Sequence, residues 1–176
     1  MTRTLVLGGT RSGKSRYAED LLPAHAPVRY LATARRRADD AEWAARLEAH
    51  RVRRPAGWVT VEEPDVAAIV AAGGGPLLVD DLATWLTNVL DDAGAWDSPD
   101  VDVSARTGAV VDAVVDAVRR CPGDVVLVSA EVGLGVVPAT RSGRLFRDEL
   151  GALNAALAAV CDEVLLLVAG IALRLK

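Results

Sequence analysis

The chain has 176 residues, which predicts one domain spanning residues 1–176 that can bury a sizeable core without disulfides or structural metals. Its formal net charge of −4 excludes the broad positive field of a nucleic-acid-binding protein, so we expect no nucleic-acid partner. There is no secretory signal pattern, the longest apolar run (Val164–Leu173) is too short for a membrane span, and the two cysteines lack metal spacing, so we expect a protein of the reducing cytoplasm.

Short apolar runs recur along the chain and predict strands. They are Thr4–Leu7, Val28–Leu31, Pro76–Val79, Val125–Val128 and Val164–Val168. Each run is almost continuously apolar and rich in Val or Leu, which is typical of strands buried on both faces of a parallel sheet.

Helical patterns separate these runs. The predicted helices are Ser15–Leu22, Asp39–Arg51, Leu82–Leu90, Asp102–Arg120 and Arg144–Val160. The residues Gly73–Gly75 and Gly94–Asp100 are predicted loops. Strands that alternate with helices predict an α/β protein with a parallel sheet and right-handed crossovers.

The segment after the first predicted strand matches G-x-x-x-x-G-K-[ST] at every fixed position. It consists of Gly8, Gly9, Thr10, Arg11, Ser12, Gly13, Lys14 and Ser15. The glycines let backbone N–H groups surround a phosphate at a helix N-terminus, Lys14 reaches the β- and γ-phosphates, and Ser15 offers its hydroxyl to Mg²⁺. The alternative is a glycine-rich turn with an incidental lysine, which the flanking strand and helix disfavour. The sequence therefore predicts a phosphate-binding loop (P-loop).

Two adjacent acids follow the third predicted strand. Asp80 stands at its carboxyl end, where P-loop enzymes hold Mg²⁺ directly or through water. Asp81 is the next residue and suits the N-cap of the helix Leu82–Leu90. We expect Asp80 to serve the metal and Asp81 the helix, although the reverse assignment stays open.

The sequence contains two histidines, and one of them is a candidate nucleophile. His25 lies between alanines in a predicted loop, whereas His50 ends a predicted helix and Arg51, Arg53 and Arg54 follow closely. A neutral imidazole can attack phosphorus, and neighbouring guanidinium groups would lower its pKa and stabilise a triphosphate. The alternative is a histidine that complements the helix dipole.

The motifs together resemble a known family. They are the P-loop with Arg16 and Glu19, Tyr30-Leu-Ala-Thr33, Arg46-x-x-x-His50-Arg-x-x-Arg54-Pro55, Leu78-Val-Asp80, Trp85-Leu-Thr-Asn88, Ser129-Ala-Glu131-Val-Gly-Leu-Gly-Val-Val-Pro138 and Gly170-Ile-Ala-Leu-Arg-Leu-Lys176. In this order they resemble the bifunctional adenosylcobinamide kinase / adenosylcobinamide-phosphate guanylyltransferase family of cobalamin biosynthesis. The chain departs from the family pattern at Asp81, where many members have Cys, at Ala172, where Pro is common, and in the basic run Arg35–Arg37.

The resemblance implies a RecA-like P-loop fold with a mostly parallel central sheet flanked by helices. It also implies two reactions: ATP or GTP phosphorylates the aminopropanol hydroxyl of adenosylcobinamide, and GMP from GTP then passes through a covalent GMP–histidine to adenosylcobinamide phosphate. Mg²⁺ is the implied metal, and a homotrimer or a pair of trimers is the implied assembly.

The resemblance also implies roles for individual residues. It places the guanylylated histidine at His50. Lys14, Ser15 and Asp80 keep the roles that the P-loop motif predicts, so Lys14 is the second catalytic residue and Ser15 and Asp80 serve the metal. The nucleotide contacts fall on the P-loop and on Thr33, Ala34, Arg35, Arg51, Val52, Arg53, Arg54, Glu62 and Asp80.

Alternatives remain for several of these residues. Thr33 is also suited to capping a strand end, and Glu62 to being a surface acid. Glu131 is suited either to a second metal or substrate contact or to anchoring the loop that follows it. At the level of the whole protein, the rivals are another P-loop small-molecule kinase with a structural His50, and a nucleotide-binding switch protein that turns over slowly.

Overall fold

Seven strands form the centre of the described part of the protein in a computed structural model. The structure describes residues 1–24, 26–35, 45, 48, 51, 52, 54–96 and 103–176. The strands are β1 (Arg3–Gly8), β2 (Arg29–Ala32), β3 (Val59–Val61), β4 (Leu77–Asp80), β5 (Val125–Ala130), β6 (Glu163–Val168) and β7 (Ile171–Arg174). Each of the five predicted strands is present, displaced by at most a few residues at its ends.

The strands form one sheet in the order β3-β2-β4-β5-β1-β6-β7. All pairings are parallel except that of β6 with β7, which is antiparallel. In the central register, Leu5 of β1 lies opposite Leu127 of β5 and Val164 of β6. Parallel neighbours place the carboxyl ends of β1, β2, β4 and β5 at the same edge of the sheet, which is where ligands bind in open α/β folds.

Helices follow the strands and cover the sheet. They are α1 (Lys14–Asp20), α2 (Val66–Ala72), α3 (Leu82–Asp92), α4 (Val103–Arg119) and α5 (Arg141–Val160). Side-chain oxygens cap three of them: Asp65 accepts from the Ala68 N–H, Asp81 from the Thr84 N–H and Thr140 from the Gly143 N–H. Such caps satisfy backbone donors that have no partner within the helix.

Each face of the sheet has its own apolar core. On one face, alternate strand residues such as Leu5 and Leu127 pack against α2, α3, α4 and α5. On the other face, Val6, Tyr30 and Leu78 pack with Ala18 of α1. Burial on both faces explains why the central strands are continuously apolar.

Three elements were not predicted from the sequence, namely β3, α2 and the antiparallel edge strand β7. The predicted helix Asp39–Arg51 lies mostly outside the described residues, as does His25. Within the described part of the chain, no helix combines the length and the apolar character needed to cross a bilayer.

Candidate functional site

The P-loop connects the end of β1 to the start of α1. Gly13 is the N-cap of α1 with φ of 92°, and Arg11 also has a positive φ of 57°. The loop is braced by two backbone hydrogen bonds, from Ser12 N–H to the Gly9 carbonyl (3.2 Å) and from Gly170 N–H to the Ser12 carbonyl (3.0 Å). A left-handed conformation at Gly13 explains why the motif needs glycine there.

Close packing inside the loop explains a second glycine. A Cβ atom on Gly8 would lie 2.4 Å from Ser12 Oγ, and the Ser12 side chain is buried. Its hydroxyl has no hydrogen-bond partner among the described residues. The loop is therefore closely packed around a buried hydroxyl group.

Ser15 and Asp80 meet at the carboxyl edge of the sheet. Ser15 Oγ lies 3.1 Å from Asp80 Oδ1, although the two residues are 65 positions apart in the sequence. Among the described residues, no group of three or more His, Cys, Asp or Glu side chains could hold a metal. A hydroxyl plus one carboxylate is, however, the protein share of a Mg²⁺ site that phosphates and waters complete, so the donor set fits Mg²⁺.

Asp81 has a structural role that separates it from Asp80. Its Oδ1 accepts a hydrogen bond of 2.6 Å from the Thr84 N–H and caps α3. Burial, and secondarily the charge of Asp80, raise the pKa of Asp81 above its ordinary value. The capping role expected for Asp81 is therefore confirmed.

Thr33 joins the ends of β2 and β4. Its N–H donates to the Asp80 carbonyl (3.2 Å), and its hydroxyl donates to the Asp81 carbonyl (2.7 Å). The Thr33 carbonyl in turn accepts a hydrogen bond of 2.9 Å from Asn88 of α3. The alternative role for Thr33, capping the end of a strand, matches this geometry, and a ligand role stays a prediction.

A groove of about 760 Å³ opens beside these strand ends. Four of the predicted nucleotide contacts line it, namely Thr33, Ala34, Arg35 and Glu62. Other lining residues include Glu63, Trp85, Asn88 and Arg106. Arg35 makes a two-pronged ion pair with Asp92 at 2.6 and 2.7 Å, which lowers the pKa of Asp92. The structure thus gathers Thr33, Ala34, Arg35 and Glu62 around one concave surface.

The arginines near His50 have different surroundings. Arg51 pairs with Glu48 at 2.6 Å on the surface, and Val52 is exposed. Arg54 instead turns inward, and its guanidinium carbon lies 3.6 Å from the centre of the Tyr30 ring. His50 and Arg53 lie outside the described residues, so their predicted roles stay predictions.

Tyr30 is a site residue that sequence reasoning missed. Its side chain is buried, and its hydroxyl donates a hydrogen bond to Asp80 Oδ2. Burial first, and then the charge of Asp80, raise the pKa of Tyr30, so the hydroxyl remains a donor. In the sequence Tyr30 is indistinguishable from a core residue of β2, and only its phenolic oxygen hints at a polar partner.

Glu131 links the loop after β5 to the P-loop. Its N–H donates to the Gly8 carbonyl (3.1 Å), and its Oε1 accepts a hydrogen bond of 2.6 Å from the Gly133 N–H. Of the two roles left open for Glu131, anchoring of the following loop agrees with these contacts, and a metal or substrate role stays a prediction.

The sheet order, the P-loop that follows β1 and the acid at the carboxyl end of β4 define an α/β P-loop nucleotide-binding protein with a RecA-like fold. A solved structure that the chain matches, the assembled ATPase EscN of the enteropathogenic Escherichia coli type III secretion system, has a similar fold, with a TM-score of 0.51 and 14% identity. The match covers 96% of this chain and 43% of that chain, so the chain spans less than half of that protein's length.

Within that class, the chain belongs to the cobinamide kinase / cobinamide phosphate guanyltransferase family (CobU), whose profile matches residues 4–175. The bifunctional adenosylcobalamin biosynthesis protein CobU of Escherichia coli (strain K12) is 42% identical over 180 residues, covering 98% of each chain. The corresponding CobP of Pseudomonas aeruginosa is 43% identical over 179 residues, covering 99% of this chain and 97% of that one. The chain is therefore an enzyme, a bifunctional kinase and nucleotidyltransferase, as the sequence resemblance implied.

Proposed function

We propose that the enzyme phosphorylates the aminopropanol hydroxyl of adenosylcobinamide with ATP or GTP and then transfers GMP from GTP to the phosphorylated product. The products of the second step are adenosylcobinamide-GDP and pyrophosphate. The observation that carries this proposal is the pairing of Ser15 Oγ with Asp80 Oδ1 at 3.1 Å, beside the P-loop of a chain in this family.

In the kinase step the P-loop holds the triphosphate. Its backbone N–H groups surround the phosphates, and Lys14 stabilises the charge that accumulates on the γ-phosphoryl group. The substrate oxygen forms a bond to the γ-phosphorus, the bond to the β-phosphate oxygen breaks, and the hydroxyl proton leaves to solvent. Ser15 and Asp80 would hold Mg²⁺, which would supply further positive charge to stabilise the triphosphate.

In the guanylyl step His50 is the nucleophile. An imidazole nitrogen forms a bond to the α-phosphorus of GTP, and the bond to the pyrophosphate leaving group breaks. A phosphate oxygen of adenosylcobinamide phosphate then attacks the same phosphorus and releases His50. The covalent intermediate divides one difficult displacement into two.

The position of Arg54 supports this role for His50. Arg54 lies on Tyr30, whose hydroxyl binds Asp80 beside the P-loop. His50 lies four positions before Arg54 in the sequence, and a fully extended chain spans at most about 14 Å over four positions.

The groove beside β2 and β3 suits the nucleoside part of GTP. Glu62 offers a carboxylate to the N1–H and 2-amino group of guanine, which adenine cannot satisfy. We expect Glu62→Gln to reduce the preference for GTP over ATP in the guanylyl step by roughly tenfold or more, because a charged hydrogen bond is lost. Glu63→Gln is the matched control, since Glu63 lines the same groove, and equal effects of both variants would contradict a specific role for Glu62.

Labelling with GTP that carries ³²P in its α-phosphate tests the central claim. Wild-type enzyme should acquire label that acid removes and alkali does not, as a phosphoramidate requires, and His50→Ala should acquire none. His25→Ala is the matched control because it removes the other histidine of the chain. Absence of label in a wild-type enzyme that converts substrate would refute the covalent route.

The proposal includes assembly into a homotrimer or a pair of trimers. Leu134 and Val136 are 81% and 95% exposed in the isolated chain, and exposed apolar groups of this kind are common where subunits meet. Light scattering on the purified enzyme measures the subunit number.

Because ATP and GTP are cytoplasmic metabolites, the proposed reactions take place in the cytoplasm.

A further inference from the structure

A buried tyrosine lies directly behind the carboxylate that we assign to the metal. The Tyr30 side chain is 1% exposed, and its hydroxyl donates to Asp80 Oδ2. The other oxygen, Asp80 Oδ1, faces Ser15 Oγ at 3.1 Å. The two oxygens of one carboxylate are thus turned toward different partners.

The sheet register makes this contact a consequence of the fold. Ala32 of β2 lies opposite Asp80 of β4, and Tyr30 lies opposite Leu78. Side chains two positions apart on a strand project from the same face, so Tyr30 and Asp80 share the face that α1 covers. The long phenol spans the two-residue offset and meets the carboxylate from within the core.

Arg54 holds the tyrosine ring in place. Its guanidinium carbon lies 3.6 Å from the ring centre, and its Nη1 donates to Thr60 Oγ1 of β3 at 2.8 Å. The Trp58 ring lies 6.3 Å from the Tyr30 ring and is buried. A planar cation on an aromatic face is attractive in itself, and more so away from water.

We propose that Tyr30 is a positioning residue that fixes the Asp80 carboxylate for Mg²⁺, and that Arg54 acts on the metal site through Tyr30. The proposal rests on the proposed function. A carboxylate that is free to rotate would spend part of its time with neither oxygen toward Ser15. With Oδ2 engaged by the phenol, Oδ1 stays at the edge of the P-loop. The stack also connects the segment that follows His50 with the residue that serves the metal.

Tyr30→Phe tests the role of the hydroxyl because it keeps the ring on which Arg54 lies. The measurement is GTP affinity by calorimetry at increasing Mg²⁺ concentrations, together with affinity in EDTA. We expect the Mg²⁺ concentration that gives half of the Mg²⁺-dependent gain in GTP affinity to rise about tenfold or more. A loss of this size is consistent with removing a hydrogen bond to a charged group. The affinity in EDTA should stay within about twofold of wild type, since the P-loop amides are unchanged.

Tyr17→Phe is the matched control. Tyr17 is the other tyrosine of the chain, is half-buried on α1, and contacts the same core. A general loss of stability would lower the melting temperature of a variant without changing its Mg²⁺ dependence. If the GTP affinity of Tyr30→Phe depends on Mg²⁺ concentration in the same way as that of wild type and of Tyr17→Phe, the positioning role is wrong.

A double-mutant cycle tests the role of Arg54. If Arg54 acts through Tyr30, Arg54→Lys in the wild-type background should raise the Mg²⁺ concentration needed for half of the gain in GTP affinity. In the Tyr30→Phe background the same substitution should raise it little further. Fully additive effects would refute the coupling. These binding measurements need neither cobinamide nor His50, so a failure of GMP labelling would leave the test of Tyr30 intact.

Discussion

Replacing Gly8 with alanine should distort the P-loop, because the new methyl group has no space. Its Cβ would lie 2.4 Å from Ser12 Oγ, 3.2 Å from Ser12 Cβ and 3.0 Å from the Leu167 carbonyl oxygen. Ser12 is buried and Leu167 belongs to β6, so neither neighbour can move without cost. Overpacking of this kind costs about 1–3 kcal/mol. For a chain of this length that lowers the melting temperature by roughly 2–12 °C.

Urea and thermal unfolding, followed by circular dichroism, measure the effect, and calorimetry measures GTP affinity. Gly9→Ala is the stability control, since a Cβ there meets nothing within 4 Å. Ser12→Ala in the Gly8→Ala background removes the shortest contact and should recover part of the loss. The reasoning would be refuted if Gly8→Ala unfolded like wild type and bound GTP equally well, or if Gly9→Ala lost as much stability.

Three further predictions concern stability and reactivity away from the P-loop. Asp65→Ala removes the oxygen that caps α2 at the Ala68 N–H (2.9 Å) and should cost about 1 kcal/mol in urea unfolding. Hydrogen bonds from Arg3 hold the pKa of Asp162 well below its usual range, which means that the ionised carboxylate stabilises the folded state. This contribution to the free energy of unfolding is present above the unfolded-state pKa and disappears as pH falls through the folded-state pKa. Asp162→Asn should therefore be less stable than wild type at about pH 7, and the gap should close in acid; an equal gap at about pH 2 would contradict the pairing. Burial raises the pKa of Cys161 to about 12, so in a Cys121→Ser background a thiol reagent should label the protein only after unfolding, as mass spectrometry can show.

Strands at the centre of the sheet were predictable because burial on both faces produces continuous apolar runs. The edges lack this pattern: β3 has three residues, of which Val59 is 57% exposed, and β7 leaves Ile171 67% exposed. Exposed edge strands need no particular composition on their outer side, so periodicity cannot identify them. The short helix α2 was missed because its seven residues of Val, Ala and Ile give too few turns to establish a helical period.

The candidate site was predictable where its chemistry is local in sequence. The P-loop is contiguous, and Asp80 is found by its place at the end of a strand. Tyr30 and Arg54 were not identified as partners because their contact depends on how β2 meets a distant loop, and the Arg35–Asp92 ion pair joins residues 57 positions apart. Spacing rules describe neighbours along the chain, whereas these pairs are created by the sheet.

The adjacent acids Asp80 and Asp81 allow the metal role and the folding role to be separated by experiment. Asp81→Asn keeps an oxygen that can accept a hydrogen bond from the Thr84 N–H, so both stability and Mg²⁺-dependent GTP binding should change little. Asp81→Ala removes this oxygen, so it should lose about 1 kcal/mol of stability and still bind GTP in the same Mg²⁺-dependent manner. Asp80→Asn removes the charge beside Ser15 and should weaken Mg²⁺-dependent GTP binding about tenfold or more, with binding in EDTA nearly unchanged. Because the two residues are neighbours at the same strand end, nonspecific disturbance would affect the two Asn variants alike. If Asp81→Asn rather than Asp80→Asn lost the Mg²⁺ dependence, the assignment would be reversed, and the contact between Tyr30 and Asp80 would be structural only.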